Sequence, residues 1–534
     1  MRTKRIALSW IVEIIPYFII GFLGLIKYSV LINSLGSELN GYYDFINRII
    51  SYLFLVEAGF TSAVTFKLYK PFANDDKETI IKIYNGSKKI YRKIGLIIFA
   101  LIFITCFLLP TVFGVKTHIT EVIICFAIIS CSYLLPFFCC SYSYSSVLFA
   151  DQKKYVYSLI TNIIRILCDI LIIALVKMFP SLVTIAIIIL VVKILEEVST
   201  YIVGKKAYPW LKKSLEVDTS ATEMTKDVFW HQLGYLIANN VDSILIMKFI
   251  GAVMVSVYGA YNYITSFLYT IMNRIAQVIS HPFGNSFAKD DKKKTYKLFR
   301  EYQVFMILLG VSIGLCYILG IRGFISLWVK DKTVNYLTDY INYFTVVLFG
   351  LNLFLSITCS MTLVTPITAN GLYKDSKPFM FITSFINFVL SLLCIMAMPT
   401  VKLRVIGILL STTIDITVSL FLRAHLVTKK VFTDIKMSKL LSTYIITIIC
   451  FVLSAVLLYP VESFVMNNST SYFKLILMLG ISFIIIIAIL SIVLKFTFKE
   501  FTNLVSRGKK LIMNVFKKRK VWYNLIMVRG CPNE

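Results

Sequence analysis

Three arginines, Arg48, Arg165 and Arg274, lie inside long apolar runs of the chain. An ionised group at membrane depth costs on the order of several kcal/mol, so such groups face a protein interior or a watery cavity. A guanidinium placed there offers a rigid planar fork of donors that fits a phosphate or diphosphate. Lys27, in the first apolar run, adds a fourth cation. These four are the candidate substrate-binding residues. Glu57, Asp169 and Asp242 sit at similar depth and are candidates for coupling or gating, because a carboxylate there can titrate or exchange cationic partners.

Plainer readings stand beside these. Arg165 and Asp169 are spaced i, i+4 on one helix and can neutralise each other. Glu57 can simply partner an arginine. Lys193, Glu196 and Glu197 lie near the end of their run, where pairing or snorkelling accounts for them.

Other chemistry finds little support. The four histidines, His118, His231, His281 and His425, lack metal-ligand spacing. The eleven cysteines include no CxxC pair, and Cys139-Cys140 inside an apolar run reads as packing. No glycine-rich phosphate loop or nucleophile elbow is present. No catalytic residue, metal or cofactor is therefore expected.

The elements that must position these charges follow from composition. Of 534 residues, 58% are hydrophobic and 16% charged, and the mean hydropathy is +0.80. A soluble chain carries roughly 45–50% apolar and about 25% charged residues, so lipid is the solvent that fits. A spanning helix needs about 20 apolar residues. That ruler places about 14 transmembrane helices, at 7–32, 41–66, 92–113, 120–148, 156–178, 182–203, 227–250, 254–281, 298–321, 339–366, 378–399, 403–427, 440–460 and 472–497. Pro136 and Pro366 punctuate two of them. Runs this long exclude a transmembrane β-barrel, whose strands alternate over about ten residues. The fold class is an all-α polytopic membrane protein.

Charge sets the expected orientation. The net charge is +27, from 55 Lys and Arg against 28 Asp and Glu. Most of the 55 fall on the side of the N-terminus and few on the other side. The positive-inside rule then puts both termini in the cytoplasm. Most of the basic surplus is topology, so no nucleic-acid partner is expected.

The chain also repeats itself. At an offset of 215 residues, Gly36 falls on Gly251, Tyr43 on Tyr258 and Asn47 on Asn262. The loop Ala73-Asn74-Asp75-Asp76-Lys77 falls on Ala288-Lys289-Asp290-Asp291-Lys292. Six spans per unit is an even number, so both copies share one orientation, related by a pseudo-two-fold axis along the membrane normal. The expected organisation is two six-helix pseudo-symmetric lobes, 1–203 and 227–427, joined by a cytoplasmic linker, 204–226. An additional helix pair, 440–497, and a basic cytoplasmic tail, 498–534, follow. In the tail, Phe501, Leu504, Leu511 and Val515 recur at helical spacing among lysines and arginines, as in a helix lying on an anionic leaflet. Lys27 and Asp242 also match at the offset, which predicts that they approach each other as a conformation-dependent pair.

The stretch from Gly21 to Lys77, with LINSLG, NGYY, Glu57-Ala58-Gly59 and LYKPFANDD, resembles the polysaccharide flippases. So do NNVDSILIMKFIGAVMVSVYGAYNYI and HPFGNSFAKDDKKK in the second half. These flippases belong to the multidrug/oligosaccharidyl-lipid/polysaccharide exporter superfamily. The resemblance implies its fold, two lobes of six helices that alternate access, with a helix pair added in fourteen-span members. It also implies a bacterial cytoplasmic-membrane flippase for a polyprenyl-diphosphate-linked oligosaccharide, used in cell-surface polysaccharide biosynthesis. Its surroundings would be membrane lipids and other polysaccharide-assembly proteins. Arg48, Arg165 and Arg274 are the plausible contributors to a cationic cavity of the family's kind. Two alternatives compete. A multidrug cation antiporter of the same superfamily would favour acidic over basic cavity residues. A membrane glycosyltransferase or polymerase would need a sizeable hydrophilic loop, and the outer connections are short.

Overall fold

A computed structural model describes residues 2–220, 241–287, 292–329 and 341–507. The second copy of the A-x-D-D-K loop, the end of the linker, the start of the expected span 227–250 and most of the basic tail lie outside the described residues. The described elements are helical. They are α1 (Arg2–Leu53), α2 (Leu55–Ala73), α3 (Lys77–Thr111), α4 (Ile119–Phe138), α5 (Ser141–Ala150), α6 (Lys154–Leu175) and α7 (Leu182–Ala207). After helical residues 241–249 come α8 (Ala252–Phe287), α9 (Lys292–Trp328), α10 (Tyr343–Ala369), α11 (Tyr373–Ala397), α12 (Val401–Lys430), α13 (Met437–Leu457), α14 (Tyr459–Asn468) and α15 (Tyr472–Thr497).

Ten of the described helices are long and apolar enough to cross a membrane. The chain is a multi-pass membrane protein. Its outer helices need lipid: α15 exposes Ile476, Ile484 and Phe496, and a soluble surface does not carry such a belt. α7 has the length of a span but carries Lys193, Glu196 and Glu197 within it.

Local chemistry sets the boundaries. Asp76 caps α3 by accepting from the Thr79 amide at 3.0 Å. Ser181 and Ser471 cap α7 and α15 in the same way, satisfying amides that have no partner within the helix. The helices differ from the expected spans at several points, among them a break at Phe54 inside 41–66. The break expected at 33–40 is a single residue, Gly36, at φ 82 and ψ 166, with helix on both sides. The continuous span expected at 120–148 is cut at Cys139-Cys140, where Cys140 takes φ 71 and a new helix starts. Inside α10, residues Ser356–Met361 form a π-helical turn.

The chain forms two compact units. One comprises Met1–Ile264, Ile325–Asn342 and Met380–Thr412; the other comprises Thr265–Phe324, Tyr343–Phe379 and Thr413–Glu534. Within the first, α1 packs most extensively on α6, and α4 on α7 and α3. Within the second, α10 meets α13 through stacked Phe354 and Phe451, 4.3 Å apart at 6°.

Gly36 and Gly251, which match at the 215 offset, both have positive φ, 82° and 127°. The helices that follow these glycines touch. A Cβ on Gly41 would fall 1.8 Å from the Ala252 carbonyl oxygen, and the Asn40 amide donates to Ser256 Oγ at 2.7 Å. Ser37 and Gly41 on one side, and Ala252 and Ser256 on the other, are small residues four apart. This spacing lets two helix backbones approach in a membrane.

Candidate functional site

The site builds outward from α1. Lys27 Nζ lies 2.6 Å from Asp169 Oδ1, joining α1 to α6 across 142 residues of sequence. Asp169 is 4% exposed, so this carboxylate needs its partner, because an ion inside a membrane protein is costly without one. One turn before Asp169, Arg165 is exposed. Lys27, Asp169 and Arg165 all lie within electrostatic reach of the Tyr263 hydroxyl.

The next residue along α1 begins a second set. The Tyr28 hydroxyl is 2.9 Å from Asp44 Oδ2 and 3.0 Å from the Ser256 carbonyl oxygen. Its ring stacks on Trp328 at 5.2 Å and 18° and tilts against Tyr263 at 5.5 Å. Trp328 is held by its indole N–H, which donates to the Leu25 carbonyl at 3.0 Å. Arg48 sits one turn beyond Asp44, and both Arg48 and Lys27 are within electrostatic reach of that carboxylate. Tyr52, one turn further, is within reach of Arg48 and Asp242. The charges of the first unit thus form a band: Arg165, Asp169, Lys27, Asp44, Arg48 and Asp242, bridged by Tyr263, Tyr28 and Tyr52.

Beside this band is an apolar cavity of about 530 Å³. Tyr52, Phe113, Leu245, Phe381, Phe385 and Phe388 line it. Tyr52 therefore belongs to both the charged band and the apolar wall.

The expected approach of Lys27 and Asp242 is not what the structure has. Lys27 pairs with Asp169, and Asp242 accepts from the Tyr258 hydroxyl at 2.9 Å. The offset matches the two positions in sequence, but α6 supplies a carboxylate to Lys27 first. Asp169 likewise takes Lys27 as its ion-pair partner, across helices, in place of the i, i+4 pairing with Arg165.

Glu57 belongs to a separate group. Thr61 donates to Glu57 Oε1 at 2.8 Å and lies 2.5 Å from the Tyr91 hydroxyl. Lys193 reaches Glu57 electrostatically and pairs with Glu196 at 2.6 Å, while Ser141 donates to Glu197. The pairing reading of Lys193 and Glu196 holds. Arg274 lies in the second unit, exposed, 3.5 Å from Gln277 Oε1.

Three functional candidates escaped sequence reasoning. Asp44 carries an i, i+4 signal toward Arg48 that could have found it. The Tyr28–Trp328 stack joins residues 300 positions apart and has no local signal. In the second unit, Arg423 bonds Ser360 in the π-helical turn and lies within reach of Asp415 and Tyr269. π-turns recur at functional sites, but a sequence does not announce one. Among the described residues no cluster of His, Cys, Asp and Glu could hold a metal ion.

Residues 6–283, just over half of the chain, match the family model described as polysaccharide biosynthesis protein. The chain belongs to the polysaccharide biosynthesis protein family. The fold agrees with solved membrane transporters. An inward-facing multidrug-resistance MATE family transporter of the MOP superfamily superposes with a TM-score of 0.64 at 13% identity, covering 80% of this chain and 98% of that one. The lipid II flippase MurJ, inward closed, gives 0.62 at 15% identity, covering 91% and 99%. A MOP superfamily transporter from Pyrococcus furiosus gives 0.53 at 12%, covering 79% and 98%. At these identities the likeness is one of fold: this member of the polysaccharide biosynthesis family has the MOP fold. No curated protein sequence matches the chain.

Proposed function

We propose that this protein is a flippase that moves a polyprenyl-diphosphate-linked oligosaccharide across the bacterial cytoplasmic membrane by alternating access. The two repeat lobes, 1–203 and 227–427, rock about the substrate, and both termini face the cytoplasm. One observation carries the reading: Lys27, Arg48 and Arg165, each with a carboxylate within reach, form a charged band whose Tyr52 also lines an apolar cavity of about 530 Å³. A cargo with a diphosphate between a prenyl chain and a sugar needs both environments at one place. Guanidinium and ammonium groups meet the diphosphate, and the cavity accepts apolar chain. Asp169 and Asp44 hold the cations while no cargo is bound and release them to the diphosphate when it arrives. Arg274 supplies the second lobe's cation. Glu57, with Lys193 and Glu196, is the coupling group.

Family membership supports the polysaccharide side of this reading, and the fold it shares with a lipid II flippase and MATE transporters supports transport. Ligand-dependent thermal stabilisation of the purified protein tests it. An undecaprenyl-diphosphate sugar should raise the unfolding temperature, and a drug cation such as ethidium should not. The reverse pattern identifies a multidrug antiporter.

A further inference from the structure

The membrane-proximal end of α3 carries a basic pocket that lies outside the transport reading. Its volume is about 550 Å³, and Lys88, Lys89, Arg92, Lys93 and Lys213 line it, with Leu215 at its edge. Four of the cations come from α3 and one from the segment after α7. That segment is strapped along α3. The Asn85 side-chain amide donates to the Lys212 carbonyl at 2.9 Å, and the Asp218 amide donates to the Lys82 carbonyl at 3.1 Å. Gly86 makes the strap possible, since a Cβ there would fall 1.9 Å from the Asp218 carbonyl oxygen.

The acidic residues of the strap are already engaged. Glu216 pairs with Lys82 at 2.7 Å, and Asp218 lies 3.7 Å from Lys67. Among the described residues no carboxylate pairs with Lys88, Lys89, Arg92, Lys93 or Lys213. Five cations therefore share one pocket without an internal counter-charge.

The same face of α3 changes character at the pocket's end. Lys89 and Arg92 are followed at helical spacing by Leu96, Phe99, Phe103 and Phe107, all more than half exposed. A stripe that is cationic over its first turns and apolar over the next three matches a phospholipid lying along the helix, phosphate first and acyl chains after. Leu215 is fully exposed, at 102% of its reference area, beside the cations. An exposed leucine beside a basic pocket belongs at a membrane interface.

We propose that this pocket is a resident site for the phosphate headgroup of an anionic phospholipid. Its acyl chains lie on the apolar stripe of α3, and it is separate from the transported cargo. The strap between the repeat lobes is then fixed to the leaflet as well as to α3. Basic pockets at the cytoplasmic ends of spanning helices recognise such headgroups by charge.

Native mass spectrometry of the purified full-length protein tests this. The probes are phosphatidylglycerol, phosphatidylcholine, undecaprenyl diphosphate and inorganic phosphate. Wild type should bind phosphatidylglycerol at least roughly tenfold more tightly than phosphatidylcholine. The variant Lys89→Gln/Arg92→Gln/Lys93→Gln/Lys213→Gln should lose that preference, and a charge-retaining variant, Lys89→Arg/Arg92→Lys/Lys93→Arg/Lys213→Arg, should keep it. The single change Lys213→Glu reads the same site if the quadruple variant fails to fold. Unchanged phosphatidylglycerol binding in the glutamine or Lys213→Glu variants overturns the proposal. Displacement of phosphatidylglycerol by lower concentrations of undecaprenyl diphosphate makes this a cargo-docking site and also overturns it, as does equal competition by inorganic phosphate. None of these readouts measures translocation, so they stand or fall separately from the flippase reading.

Discussion

Lys27 and Asp169, 142 residues apart, meet at 2.6 Å, and the two are unequally buried: the Lys27 side chain is 24% exposed and the Asp169 side chain 5%. That asymmetry makes Asp169 the dependent partner. Lys27→Met strands a buried carboxylate and should cost about 3 kcal/mol, the lower end for a broken buried pair. Asp169→Asn should cost less, because the ammonium can turn toward water. Replacing both, with Lys27→Met/Asp169→Leu, should recover most of the stability while transport stays lost. Thermal unfolding and transport measured on the same preparations separate the two. Transport that returns with stability would make the pair a structural clamp only.

Arg48→Ala and Arg274→Ala should each slow transport roughly 10–100-fold, the equivalent of one or two charge-assisted hydrogen bonds. The unfolding temperature should stay close to wild type. Unchanged transport in both variants removes these residues from the site.

Gly41→Ala places a methyl group against the Ala252 carbonyl oxygen, where a Cβ has 1.8 Å. The two repeat helices must then separate, at a cost of about 1–3 kcal/mol for overpacking. Gly36→Ala meets nothing within 4 Å, but at φ 82 and ψ 166 its backbone lies in a region almost reserved to glycine, at a cost of about 1–3 kcal/mol. Both variants should lower the unfolding temperature, Gly41→Ala through the helix contact and Gly36→Ala through backbone strain. An unchanged unfolding temperature for Gly41→Ala would mean that the helix contact is loose.

The legible and illegible parts of the sequence divide by distance along the chain. Long apolar runs reveal a polytopic helical protein because lipid imposes their length. The 215-residue offset sets Gly36 on Gly251, and both have a positive φ, which favours glycine. Segment 33–40 reads as a loop because Asn33, Ser34, Gly36 and Ser37 are turn residues. In the structure Ser37, Asn40 and Gly41 are small and polar because another helix lies against them. The deep charges are visible one by one, but their partners are not. Lys27–Asp169 and Tyr28–Trp328 join distant segments, and a single sequence holds no record of contact. Cys140, at φ 71, breaks its helix, while Pro136, the punctuation visible in that run, sits inside α4 and does not mark the break.

The strap gives a pH signature. The hydrogen bond and charge of Lys82 hold the Glu216 carboxyl below its ordinary value of 4.5. Asp218 is likewise lowered, first by the hydrogen bond from Ser220 and then by Lys67. Groups with depressed values contribute stability above their ordinary range and lose it as pH falls through the lowered values. A spin label at position 215 should keep constant mobility from pH 7 down to the ordinary carboxylate range and loosen only below it. Lys82→Ala should loosen it at neutral pH. Mobility that rises between pH 7 and 5 would contradict the pairing.

The most direct measurement is leaflet translocation by the purified protein in vesicles carrying a fluorescent polyprenyl-diphosphate sugar, read with a membrane-impermeant quencher. The account predicts protein-dependent appearance of the lipid in the opposite leaflet, slowed by Arg48→Ala and by Lys27→Met/Asp169→Leu. No protein-dependent translocation, together with export of a drug cation by the same vesicles, would contradict it.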